Sequence, residues 1–200
     1  LGGCGEDFTS APPADPGCTL ELGTDFEHAL GNNLTVVSTD GTVAVATNSV
    51  LRVDVDAGVG QRFGALTTVG GVDMTERCVH VEVLEVPDAM GTLAALSLGR
   101  GDDDLGIYAA ESKLYAVLQV VGAEAMTNVL DYDAKAHRWW RIWNTQGAVL
   151  WQTSQDKQSW TTIMSAGWPW EDGTAGLSVG AGTQAATLQD GRARFDNLNR

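Results

Sequence analysis

From about Thr19 onward, short apolar or alternating runs are separated by turn residues, and no stretch of about ten or more holds a helical period. The pattern predicts strands near residues 34–37, 42–46, 49–55, 61–68, 77–86, 92–98, 105–110, 113–121, 127–132, 137–144, 148–154, 159–164, 175–181 and 192–199. Asp40-Gly41, Ala57-Gly58, Gly70-Gly71, Arg100-Gly101-Asp102 and Gln146-Gly147 supply the turns between them. Within Cys78 to Val86, one strand face carries Val79, Val81 and Val83, and the other His80, Glu82 and Leu84. Short, regularly spaced strands predict an all-β fold, an antiparallel β-sandwich over residues 19–200. No fixed-period repeat is present, which disfavours propellers and solenoids.

The pattern is densest from His137 to Thr162, which holds five of the seven tryptophans. Period-2 alternation puts Arg138, Trp140, Ile142 and Asn144 on one face, and His137, Trp139, Arg141 and Trp143 on the other. If Gln146-Gly147 forms a two-residue turn, Ile142 faces Trp151 and Trp140 faces Thr153, and that face with Val149 is core. Trp139, Arg141, Trp143 and Gln152 then form a second face of rings and hydrogen-bond donors suited to stacking on sugars. A three-residue connection shifts the pairing by one, so the pattern alone leaves the register open.

Composition narrows the partners. Twelve Lys+Arg against 26 Asp+Glu give a formal charge of -14, which disfavours nucleic acid and anionic lipid as partners. Leu1-Gly2-Gly3-Cys4 resembles the lipobox of bacterial lipoproteins, in which the cysteine is lipidated. The segment after it, with Pro12, Pro13 and Pro16, reads as a flexible tether, so residues 1–18 are expected to be a lipobox-like segment and linker. The expected location is secreted or lipid-anchored at a bacterial cell surface, with the membrane engaged only through Cys4. With Cys4 lipidated, Cys18 and Cys78 form a candidate disulfide; Cys4–Cys18 is the competing pair. No C-x-x-C spacing supports a zinc site.

The segment Ser154-Gln-Asp156-Lys-Gln-Ser-Trp160-Thr161 resembles the S-x-D-G-x-x-W-T turn of concanavalin A-like sandwich domains, with Lys157 in the usual glycine place. Asp25-Phe26-Glu27 and Ala193-Arg194-Phe195-Asp196-Asn197-Leu198 resemble the opening and closing strands of the same lectin/glucanase superfamily. The resemblance implies a concanavalin A-like jelly roll over residues 19–200. Some members of the superfamily hold a structural calcium, for which Asp25, Glu27 and Asp196 are the candidate oxygen ligands here, since Ca²⁺ takes several hard oxygens; the alternative is that Asp25 and Asp196 cap turns or pair with arginines at the sheet edge.

Laminarinase-like enzymes of this superfamily use an E-x-D-x-(x)-E strand that sets two carboxylates on one face, and no such motif occurs here. Its nearest counterpart, His80-Val-Glu82-Val-Leu-Glu85, has the wrong parity and reads as a surface-facing His/Glu pair. Asp102-Asp103-Asp104 reads as a solvated hairpin tip, and the Arg100-Gly101-Asp102 triplet in it as a turn. Trp168 and Trp170 flank Pro169 in a loop, where they either plug the end of the sandwich or meet a ligand.

The function expected from these features is a non-catalytic extracellular binding module for carbohydrate or adhesion. Its ligand residues would be Trp139, Arg141, Trp143, Gln152, Trp168 and Trp170, and its partner a glycan or cell-surface polymer. Two alternatives are a self-assembling surface or filament subunit, and a polysaccharide-degrading hydrolase or lyase.

Overall fold

The structure, a computed structural model, describes residues 20, 33–47 and 50–199. Fifteen strands are present and no helix among the described residues. In order they are β1 (Leu34–Ser38), β2 (Thr42–Thr47), β3 (Val50–Val55), β4 (Arg62–Thr68), β5 (Val72–Asp73), β6 (Cys78–Glu85), β7 (Thr92–Arg100) and β8 (Asp103–Ala110). They continue with β9 (Lys113–Gln119), β10 (Met126–Asp131), β11 (Trp139–Thr145), β12 (Ala148–Ser154), β13 (Trp160–Gly167), β14 (Thr174–Thr183) and β15 (Gly191–Asp196). Fourteen lie where the hydrophobic pattern puts them. The exception, β5, is two residues long and too short to carry a period.

The strands form two sheets. One runs β1-β4-β14-β7-β8-β9-β10, with β5 pairing β14, and the other β13-β12-β11-β6-β15-β3-β2. Every pairing is antiparallel, so each strand can bury alternate residues against the opposite sheet. Leu96 and Leu98 of β7, Leu105 and Ile107 of β8, and Val179 of β14 face Val79 and Val81 of β6, Trp140 and Ile142 of β11, Trp151 of β12 and Phe195 of β15. Trp140 and Trp151 are the largest fully buried side chains, so the sandwich closes around the tryptophan hairpin.

That hairpin turns over two residues. Gln146 and Gly147 both have positive φ, 51° and 74°, the geometry of a turn whose twist matches the flanking strands. The resulting register pairs Ile142 with Trp151 and Trp140 with Thr153. At the next turn Lys157 takes φ 64°, so the conformation is kept without the usual glycine. Hydrogen bonds hold it there: Ser154 Oγ accepts from the Asp156 and Lys157 amides, and Asp156 Oδ1 from those of Gln158 and Ser159.

Cys78 is disulfide-bonded. Cys4, Cys18, Asp25 and Glu27 lie outside the described residues, so neither the expected cysteine pairing nor the calcium set can be followed to its other members.

Candidate functional site: a tryptophan face and a cleft over β8

The two sheets present different chemistry on their outer faces. On the seven-stranded sheet the outward residues of β11 and β12 are those the alternation assigns: Trp139, Arg141, Trp143 and Gln152. Three of them are covered, Arg141 at 3%, Gln152 at 6% and Trp143 at 8% exposure. The Arg141 guanidinium lies 4.0 Å from the Trp160 ring centre and 5.1 Å from that of Trp143. Its Nε donates to Gln152 Oε1 at 2.8 Å, and Gln152 Nε2 donates to Thr162 Oγ1 at 2.9 Å. The ring faces and donors that could meet a sugar are therefore largely engaged within the protein. Trp139 is half-buried, with Lys157 Nζ 5.2 Å above its ring.

His80 belongs to the same assembly, 5.9 Å from Trp139 and 6.4 Å from Trp160. At 4% exposure it is not the surface-facing residue its alternation suggests, because these two rings cover it. Glu82 is bound by Arg138 Nε at 2.8 Å and by Asn197 Nδ2 at 2.6 Å. Trp168 and Trp170 meet edge to face at 5.2 Å; Trp170 is buried and its indole donates to Asp103 Oδ2 at 2.9 Å. Asp196 Oδ1 accepts from the Asn197 amide at 2.7 Å, and no metal-binding group of carboxylates, histidines and cysteines occurs among the described residues.

On the eight-stranded sheet a cleft of about 520 Å³ opens over β8 and β9. Asp104, Tyr108, Tyr115, Gln119 and Gln184 supply its polar and aromatic surface. Leu105, Ile107 and Ala109 of β8 point into the core, so Asp104, Gly106 and Tyr108 project outward. The Tyr108 hydroxyl folds back over Gly106 and donates to Asp104 Oδ2. A Cβ at Gly106 would lie 2.5 to 2.7 Å from the Tyr108 ring and hydroxyl, so this contact needs glycine. The Ser97 hydroxyl of β7 also hydrogen-bonds Tyr108.

Burial raises the Asp104 pKa above the ordinary carboxylate value, against the hydrogen bonds from Tyr108 and the Leu105 amide that lower it. Burial, then the Asp104 charge, pushes the Tyr108 phenol well above its usual value. Burial thus shifts Asp104 in the direction that suits a general acid, disfavouring its charged form relative to an ordinary carboxyl.

Asp104 and Tyr108 are the pair that sequence reasoning misses. The run of three aspartates reads as a hairpin tip, whereas β8 begins at Asp103 and Asp104 is within the sheet. The signal is present in the period-2 pattern Asp104-Leu105-Gly106-Ile107-Tyr108, once the strand is started earlier than its first apolar residue.

No family model matches the chain, and no curated protein matches it in sequence. Solved structures do match its fold. A β-1,3-glucanase from Mycobacterium marinum superposes with TM-score 0.65 at 10% identity, covering 89% of this chain and 97% of the other. Bacillus licheniformis β-glucanase gives 0.63 at 10%, covering 88% and 95%. LamA from Zobellia galactanivorans, in complex with laminaritriose and laminaritetraose, gives 0.63 at 8%, covering 88% and 96%. The expectation of a non-catalytic binding module is corrected here: the structural neighbours are mostly polysaccharide hydrolases. The chain has the concanavalin A-like jelly-roll fold that these glucanases share.

Proposed function

We propose that the protein is a hydrolase of an uncharged polysaccharide, a β-1,3-glucan being the first substrate to test, and that it works in the cleft over β8. The observation that carries this reading is the outward face of β8. An E-x-D-x-E strand offers residues i, i+2 and i+4 to its substrate, and on β8 the outward residues at that spacing over the cleft are Asp104, Gly106 and Tyr108.

The chemistry differs from a two-carboxylate displacement. Glu111 also lines the cleft, but seven residues of extended chain separate it from Asp104, roughly 20 Å, too far to share one glycosidic bond. Asp104 is therefore assigned the proton. It gives this to the glycosidic oxygen as the bond to the anomeric carbon breaks; water adds at that carbon, releases a proton to solvent, and Asp104 is reprotonated from solvent. Tyr108 fixes the carboxyl, and Tyr115, beside it across the β8–β9 ladder, offers a ring for stacking.

A lyase reading is weaker on charge grounds. Elimination from a uronate needs its carboxylate neutralised, and no arginine, lysine or histidine lines the cleft among the described residues.

Reducing-end release from laminarin and from mixed-linkage glucan, compared for the wild type and Asp104→Asn, tests the proposal. Release by the wild type and loss of at least a hundredfold in the variant are expected. No release from any uncharged glucan, or equal release by both proteins, would overturn it.

A further inference from the structure

The outer face of the seven-stranded sheet carries a separate hollow on β2, β3 and β15, with β6 between it and the tryptophan hairpin. It encloses about 370 Å³ and is lined by Val45, Thr47, Val50, Arg52, Arg192 and Arg194. Three of the chain's twelve basic residues thus meet in one place on a protein with a formal charge of -14.

Their pairing is incomplete. Arg52 Nε binds Asp54 Oδ2 at 2.8 Å, and Arg192 Nε binds Asp54 Oδ1 at 2.7 Å, so both oxygens of that carboxylate are engaged. Arg194 lies directly opposite Arg52 in the β3–β15 ladder, a like-charge pairing that costs stability. Its guanidinium makes no hydrogen bond or ion pair among the described residues. Glu85, opposite Arg194 on the β6 side, adds a second carboxylate and also acts on Arg192. Three guanidiniums against Asp54 and Glu85 leave one positive charge in excess, held open to solvent.

We propose that Arg52, Arg192 and Arg194 form an oxyanion site that takes a phosphate or sulfate group. A tetrahedral anion supplies several acceptors to forked donors and relieves the Arg52–Arg194 repulsion as it binds. The remote acidic surface does not forbid this, because exposed charges are screened beyond about 8 Å at physiological ionic strength. Val45 and Val50 give the hollow an apolar wall beside the guanidiniums, room for the carrier of an esterified anion such as a saccharide. The site lies on the sheet opposite the one bearing the Asp104 cleft, so it stands independently of the hydrolase reading.

Thermal unfolding in inorganic phosphate, set against chloride at equal ionic strength, reads the site directly. The wild type should gain about 5 °C or more at a hundredfold excess over Kd. Arg194→Ala should unfold at the same or a higher temperature than the wild type without phosphate, since a repulsion is removed, and should lose the phosphate-dependent gain. General salting effects act equally on both proteins and cancel in that comparison.

A parallel series with a sulfated dextran, matched in anion concentration, separates the sources. A gain larger than that from inorganic phosphate identifies a polymer-borne group, and an equal gain a free ion. A gain that survives in Arg194→Ala, or no gain in the wild type with either anion, overturns the proposal.

Discussion

At the residue scale, Asp104 is where stability and chemistry oppose each other. A carboxyl whose folded pKa is raised stabilises the fold fully below its unfolded pKa and loses that contribution as pH rises through the folded value. Asp104→Asn should therefore gain melting temperature relative to the wild type as pH rises through the folded Asp104 pKa while removing activity, a combination that a purely structural carboxyl would not show. In the wild type, kcat/KM should fall on the alkaline side, where the acid is lost, along a limb set by Asp104.

Gly106→Ala should act through its neighbour. The backbone at Gly106 tolerates a side chain, but the added methyl occupies the space of the Tyr108 ring, so the hydroxyl is displaced from Asp104. Activity should drop by tenfold or more with the fold retained by circular dichroism. Lys157 is the reverse case, a strained residue whose replacement helps. Its left-handed φ costs about 1 kcal/mol, so Lys157→Gly should raise the denaturant midpoint without changing the slope.

At the scale of the elements, the tryptophan hairpin separates what a sequence pattern can and cannot reveal. Alternation assigns Trp140 and Ile142 to the core and Trp139, Arg141 and Trp143 to the outer face, and the structure agrees on every one. It does not reveal that Arg141 sits between two rings, because Trp160 comes from another strand whose pairing with β12 shifts between Trp151 and Gln152. An outward position in a strand is thus not an exposed one.

Trp143→Ala should accordingly cost about 3 kcal/mol in equilibrium unfolding, since it empties a covered place beside the guanidinium. A cost below about 0.5 kcal/mol would mean that the ring is free for a ligand. Element boundaries are the other place where pattern and structure part. Asp103 and Asp104 read as a turn in the pattern and belong to β8 in the structure, because polar residues that begin a strand resemble those that end a loop.

At the scale of the molecule, the hydrophobic pattern made the all-β sandwich legible, because fourteen of fifteen strands exceed the length at which a period of two can be recognised. The working surface was less legible, since it is assembled from β7, β8 and β9 and from the loop at Gln184 by pairings that no single segment encodes. The molecule carries opposing titrations. Asp73, Asp103, Asp133 and Asp156 are held below the ordinary carboxylate pKa chiefly by backbone amides, and Asp131 by Lys113. Their stabilisation is present above the unfolded carboxylate pKa and is lost as pH falls through their depressed folded values. Acid unfolding should begin there, although Asp104 gains from protonation.

The two outer faces compete for the role of working surface, and locating a bound uncharged oligosaccharide decides between them. A crystal structure of Asp104→Asn soaked with laminaritriose should show the sugar in the cleft, stacked on Tyr115 and within hydrogen-bond reach of residue 104. A sugar found instead against Trp139 and Trp143, with the cleft empty, would contradict the account.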